Sequence, residues 1–250
     1  MHMSDNVFRD EQMNRPARRV PLFDTVRGLV ILSMVAFHAT YDAVILYGCD
    51  IEWFLNPLIQ TVWRNSISWT FLLLAGIMCS YSRNNVKRAA RYFLVALLIW
   101  IATSIAAVDI PISFGIIYCM GSSVALFAVL KPFLDRISSP IGFFLFTFLF
   151  LATLDKPHGV YGAHHLAWLG FPDANFESGD YYPIVPYSFL LLAGSFIGRS
   201  IRRHQRESSS ANIFNVDIPV LRVIGKHPLG IYLIHQPLLL LFFDVWVRFI

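Results

Sequence analysis

Charge is what this sequence has least of. Asp, Glu, Lys and Arg make up 14% of its 250 residues, while apolar residues make up 56%. A soluble domain carries about 25% charge and about 45–50% apolar residues. The deficit excludes an ordinary solvated surface and points to an integral membrane protein. Cysteine is scarce as well: Cys49, Cys79 and Cys119 lie in separate segments, with no CxxC pair. That excludes a disulfide framework and a cysteine zinc site, and no metal is expected. HExxH, a P-loop, GxSxG and a Rossmann fingerprint are all missing. Metalloprotease, NTPase and hydrolase classes therefore have no motif support. Residues 1–20 lack an apolar h-region with a small-residue cleavage site, so no cleavable signal peptide is expected. The net charge of +4 carries no expectation of nucleic-acid binding, because in such a chain its distribution across the bilayer is what informs.

What the chain does have is long apolar runs. Seven of them fall at about 24–46, 62–82, 90–108, 113–130, 140–154, 183–199 and 228–248. A spanning helix needs about 20 apolar residues. The expected fold is an all-α polytopic membrane helix bundle of about seven transmembrane helices. The fifth run is short, and it crosses by extending into the preceding Ser138-Ser139-Pro140 turn, by tilting little, or by thinning the bilayer. Residues 1–20 form a polar cytoplasmic tail, disordered or lying on the surface, and 21–250 form one transmembrane domain. With the N-terminus inside, 17 of the 20 Lys and Arg lie on the inner side, within 1–27, 83–91, 131–136 and 199–226. Only Arg64, Lys156 and Arg248 remain outside. The positive-inside rule then gives a cytoplasmic N-terminus and an extracytoplasmic C-terminus. Within the basic inner segment, Glu207-Ser208-Ser209-Ser210 reads as a flexible linker. The outer stretch 155–182 is the longest loop, aromatic and acidic, of the kind that carries binding. Phe71–Ile77 (FLLLAGI) and Phe189–Phe196 (FLLLAGSF) echo each other, and their Ala-Gly pairs suit close helix packing. Exposed Ala-Gly faces would also permit a homodimer.

The first apolar run carries a polar stripe. Arg27 and His38 are 11 residues apart, which on an α-helix is three turns plus about 20°, roughly 16 Å along one face. Asp24 and Asp42 extend the stripe in both directions. Ionisable groups at membrane depth are costly, so each needs a reason. His38 is the foremost candidate base, with Asp42 one turn on to hold its tautomer. The bland alternative is a histidine acting as hydrogen-bonded glue between helices. Asp24 and Arg27 read either as an i,i+3 ion pair at the inner interface or as a site for an incoming anion such as a pyrophosphate. Arg83, Lys87, Arg88 and Arg91 would widen that site, or simply anchor the topology. Arg64 stands against the charge rule. It either snorkels to outer headgroups or partners Asp42, Asp50 or an acceptor. Tyr118, in Ser113–Gly121, has a hydroxyl that a cavity could use, and Asp180 is a cavity carboxylate or an N-cap. His235-Gln236-Pro237 lies about two turns into the last run and marks a cavity wall.

Asp24-x-x-Arg27-Gly28, followed after ten residues by His38, resembles the opening of the integral-membrane acyltransferases that acylate extracytoplasmic sugars. Taken with FLLLAGI (71–77), SFGIIYCMG (113–121), GDYYPIVPY (179–187) and GKHPLGIYLIHQP (225–237), the pattern narrows to one branch. It is similar to bacterial relatives of the heparan-α-glucosaminide N-acetyltransferase catalytic domain, over roughly residues 20–245. The resemblance implies a multi-pass enzyme of the bacterial inner membrane, in contact with membrane lipid. Its donor would be a cytoplasmic acyl-CoA, acetyl-CoA foremost, and its acceptor an amine or hydroxyl of an extracytoplasmic sugar or glycoconjugate. His38, Arg27 and Asp24 would be catalytic, with Arg27 near the CoA end and His38 deprotonating the acceptor or taking the acyl group. Asp42, Arg64, Tyr118, Asp180, Tyr181, His235 and Gln236 would contact substrate. The chain departs from the animal lysosomal branch, which carries its essential histidine in the first non-cytoplasmic loop; residues 43–61 contain none here. The competing class is a small-solute or proton-coupled transporter using the same polar residues.

Overall fold

The computed structural model describes residues 20–207 and 216–249. The tail at 1–19 and most of the linker read at 207–210 lie outside the described residues. Within them the chain is helical. α1 runs Pro21–Tyr41 and continues as one turn of π-helix, Asp42–Leu46. Then come α2 (Pro57–Cys79), α3 (Asn85–Ala106), α4 (Ile116–Leu134) and α5 (Ser139–Ala152). α6 spans Ile184–Glu207, and a short α7 (Pro219–Gly225) leads into α8 (Pro228–Phe249).

Local chemistry sets several of these boundaries. α1 and α2 begin with Pro at their first turn, where the missing N–H costs nothing. Asn56 accepts a hydrogen bond from Leu58 N–H, 2.9 Å, and so starts α2 five residues before its apolar run. Asn84 does the same for α3 through Lys87 N–H, 2.9 Å. α5 is short, as expected, and starts at Ser139; a turn and the Lys156–His158 3-10 helix lengthen its path to 20 residues. α7 was not legible as an element, because Pro219–Gly225 reads as part of a basic inner segment. α6 outruns its apolar run to Glu207, since arginines are good helix formers and do not end a helix.

Among the described residues, six stretches are long and apolar enough to cross a bilayer: Pro21–Leu46, Asn85–Ala106, Ile116–Leu134, Ser139–His158, Ile184–Gln205 and Pro228–Phe249. α2 falls short because Arg64, Asn65, Ser66 and Ser68 interrupt its outer half. Its crossing follows from a different observation. Arg27 meets Gly225 just ahead of α8, His38 meets His235, and Tyr47 meets Asp244, so α1 and α8 run in the same direction. Parallel crossings at both ends require an odd number in all. The seven-residue α7, about 10 Å long, cannot supply one. With 23 residues α2 can, and it brings the count to seven.

α6 is the hub, with 61% of its span buried, against 11% for α3, 11% for α5 and 6% for α8. The bare helices are the lipid-facing rim. α6 packs on α2, α4 and α5. Leu72, Phe150, Leu191, Leu192 and Phe196 form its fully buried surroundings. The two Ala-Gly motifs meet here. A Cβ on Gly76 would lie 1.9 Å from Leu191 O, and one on Gly194 would lie 2.4 Å from Leu73 O. The backbones approach because neither residue has a side chain. This corrects the homodimer argument: Ala75, Gly76, Ala193 and Gly194 are buried against each other and offer no face to a second copy.

Candidate active site

The inner end of the polar stripe is a crossing of α1 and α7. Gly28 faces Leu221 O, and Gly225 faces Asp24 O; an added Cβ would lie 1.9 Å and 1.8 Å from those atoms. The two backbones touch, and Arg27 is anchored in the contact. Its Nη1 donates to the Asp24 carboxylate at 2.7 Å and to Gly225 O at 3.1 Å. Both side chains keep 17% exposure, so the ion pair is accessible from one side.

Farther along α1, His38 and Asp42 meet His235 and Gln236 of α8. The rings of His38 and His235 lie 5.0 Å apart between centroids. His235 Nδ1 sits 2.7 Å from Tyr232 O. A backbone carbonyl only accepts, so a neutral His235 must carry its proton on Nδ1. That leaves the Nε2 lone pair, which is buried and has no hydrogen-bond partner. A buried, unpartnered acceptor next to a second imidazole calls for an explanation. Gln236 Nε2 donates to both Asp42 oxygens, at 3.0 and 2.9 Å. Asp42 therefore ties α1 to α8 and does not hold the His38 tautomer. The backbone is still α-helical there, with the Asp42 N–H bonded to His38 O, so it is the Gln236 amide, bound to both carboxylate oxygens, that draws the side chain to α8.

The outer candidates form a separate group. Residues 178–182 pair with 111–116 like two short strands. Tyr182 N–H donates to Phe114 O at 2.9 Å, and Ser178 Oγ bonds both the N–H and the C=O of Ser113. Asp180 accepts from Ile116 N–H at 2.9 Å and so caps α4 from a distance. The start of its own helix holds Pro183 and Pro186, which have no N–H to offer. The Tyr181 hydroxyl donates to Ala167 O at 2.6 Å and fastens the long loop. Arg64 is exposed on α2. Its guanidinium forms no ion pair with Asp42 or Asp50, but its charge acts on Asp180. Tyr118 lines a cavity of about 400 Å³ that also reaches Tyr232.

Burial pushes the Asp180 carboxyl up to about 6, opposed by the Ile116 hydrogen bond and the Arg64 charge. The raised value favours the neutral acid in the fold. The associated stability is complete below the ordinary value of 3.8 and is lost as pH rises through about 6. Asp180→Asn keeps the acceptor oxygen and removes the titration. Its melting temperature should exceed wild type at about pH 7.5 and match it near pH 4. An identical difference at both pH values would contradict this.

The inner arginines separate by role. Arg88 turns inward and donates to Ala75 O at 3.0 Å and to the Tyr92 hydroxyl at 3.3 Å. Lys87 and Arg91 stay exposed. Arg83 borders a cleft of about 760 Å³ shared with Lys131, Arg199 and Arg202. There Arg199 closes the end of α4 through Leu134 O, 2.9 Å, and Arg202 binds Ser80 O at the end of α2. Sequence reasoning missed Tyr232. Its position three residues before His235 on one helix face, inside an already noted motif, was the available signal.

The profile of the heparan-alpha-glucosaminide N-acetyltransferase catalytic family matches residues 19–237, and the chain belongs to that family. No curated protein and no solved structure matches it.

Proposed function

From that membership and the paired imidazoles, we propose that the protein transfers an acetyl group across the membrane. The donor is cytoplasmic acetyl-CoA, and the acceptor is an amine or hydroxyl of an extracytoplasmic sugar or glycoconjugate. The observation that carries the reading is the pairing of half-buried His38, on the Arg27 face of α1, with buried His235 of α8. The chain is oriented with its N-terminus in the cytoplasm of a bacterial cell and its C-terminus outside. Arg27, held by Asp24 and Gly225 O, meets the anionic end of CoA at the inner mouth.

His38 is the base. The acceptor lone pair attacks the thioester carbonyl, its N–H or O–H proton passes to His38, and the C–S bond breaks. The CoA thiolate then takes a proton from the imidazolium and leaves as the thiol. His235, its tautomer fixed through Tyr232 O, offers Nε2 as the neighbouring proton acceptor. Transfer through an acetylated His38 uses the same groups in two half-reactions.

Thermal stability of the purified protein with acetyl-CoA, CoA and dephospho-CoA tests the donor. A ligand that binds only the folded state at 100 times its Kd stabilises by about 2.7 kcal/mol. Acetyl-CoA should raise the melting temperature of wild type, and Arg27→Ala should lose most of that rise. No shift with any CoA species would remove the assignment in favour of a transporter or scaffold.

A further inference from the structure

The cavity of about 400 Å³ lies between α3 and the start of α4 and ends at Tyr232 of α8. Its chemistry differs from that of a sugar site. Phe93, Leu97, Trp100 and Phe114 dominate its wall, and the few polar side-chain groups are the hydroxyls of Ser113, Tyr118 and Tyr232 and the Trp100 indole N–H. Sugar hydroxyls placed there would give up water for few replacement partners, which is costly. Hydrocarbon would not.

Three observations say where an occupant comes from and where it leads. First, the cavity has an open side. α3 packs mainly on α4 and α8 mainly on α1, and among the described residues no strong packing joins α3 to α8. Phe93, Leu97 and Trp100 on that side are 38%, 51% and 48% exposed at mid-helix, at the depth of acyl chains. Second, the residue at the cavity's end, Tyr232, packs on the imidazole pair. The Tyr232 and His235 rings are 5.5 Å apart between centroids, and the His235 and His38 rings 5.0 Å. Third, the wall is held under strain. Phe114 has φ +58°, a left-handed conformation that disfavours a bulky side chain. The Tyr182 hydrogen bond to its carbonyl and the Phe176 and Tyr118 rings on either side keep it there. Strain maintained by surrounding contacts is a mark of a ligand-shaping position.

We propose that this cavity holds the hydrocarbon of a lipid-borne acceptor, which enters sideways from the bilayer and presents its amine or hydroxyl to His38 and His235. The inference rests on the acetyl-transfer reading and narrows its acceptor to a membrane amphiphile. The group acetylated then reaches the site while its anchor stays in the membrane. Acetyl-CoA comes from the inner end, so the two substrates do not share a path.

The test uses full-length protein in nanodiscs, with acetyl-CoA and a series of methyl, octyl and dodecyl glucosaminides. Wild type should show kcat/KM rising at least tenfold from methyl to dodecyl, mainly through KM. Ala96→Trp, which fills the cavity, should bring the dodecyl-to-methyl ratio close to one. A ratio near one in wild type, or a ratio untouched by Ala96→Trp, would overturn the proposal. So would a variant that changed the preference for acyl-CoA chain length instead, because the cavity would then belong to the donor. A second arm needs neither turnover nor a folded variant. A dodecyl glucosaminide with a terminal diazirine should label residues 93–100 or 112–118 of wild type, and unlabelled dodecyl glucosaminide should compete. Labelling elsewhere, or labelling that bilayer lipid alone explains because nothing competes, would reject the site. Competed labelling without any acetyl transfer would keep the cavity assignment and reject the acetyl-transfer reading.

Discussion

His38→Ala should reduce acetyl transfer by about 10²–10⁴-fold, the range that a positioned acid–base group supplies. His235→Ala should fall in the same range, although sequence reasoning gave it only a substrate contact. The two ring centroids lie 5.0 Å apart, and the buried His235 Nε2 has no hydrogen-bond partner. If both imidazoles serve one proton transfer, the double variant should lose little more than either single one, because groups acting as a unit are strongly non-additive. Initial rates of CoA thiol release with a saturating acceptor, on variants with unchanged melting temperatures, measure this. Losses that multiply would mean that the histidines act in separate steps. Full activity in His38→Ala would remove the proposed mechanism. Asp42→Asn is the informative contrast. It keeps an oxygen for Gln236 Nε2 and does not touch His38, so its rate should stay within about tenfold of wild type.

Gly225→Ala is the second large expectation. The new Cβ would stand 1.8 Å from Asp24 O, well inside contact, and the obstacle is backbone rather than a side chain that could swing away. Overpacking in a well-packed interior costs about 1–3 kcal/mol, and a backbone clash belongs at the upper end. α7 must then withdraw from α1, and Arg27 loses Gly225 O, its acceptor at 3.1 Å. The expected result is a lowered melting temperature together with loss of acetyl-CoA stabilisation. Gly230→Ala, in the next helix, meets nothing within 4 Å and should change neither. Equal behaviour of the two variants would show that the crossing is softer than its geometry.

The stripe from Asp24 to His38 was legible because 11 residues fix both distance and phase on a single helix. Close packing at the two Ala-Gly motifs was also legible, because a small pair in an apolar run suits close approach; that they pack on each other was not. Pairings between distant helices were not. Nothing in one sequence sets the register of α8 against α1, so His235 could be noticed but not placed beside His38. Asp42 was assigned to His38 by i,i+4 spacing, which the helix keeps, but the amide that takes its carboxylate comes from Gln236 on a distant helix. Asp180 was weighed as an N-cap, and it does cap a helix, but that helix is α4, through Ile116 N–H, 64 residues away. Arg88 looked like its neighbours Lys87 and Arg91 in charge and position. Only its helix face, toward α2 and α4, brings it inside.

The parallel pairing of α1 and α8 has a consequence for biosynthesis. Asp42 and Gln236 are 194 residues apart, and at about 5–20 residues per second roughly 10–40 s of translation separates them. Throughout that interval α1 stands in the bilayer with its histidine and carboxylate uncovered by their eventual partners. Every ribosome stall in the second half of the message prolongs the exposure. The reaction centre is thus among the last contacts the nascent chain can make, and a truncated product would insert without it.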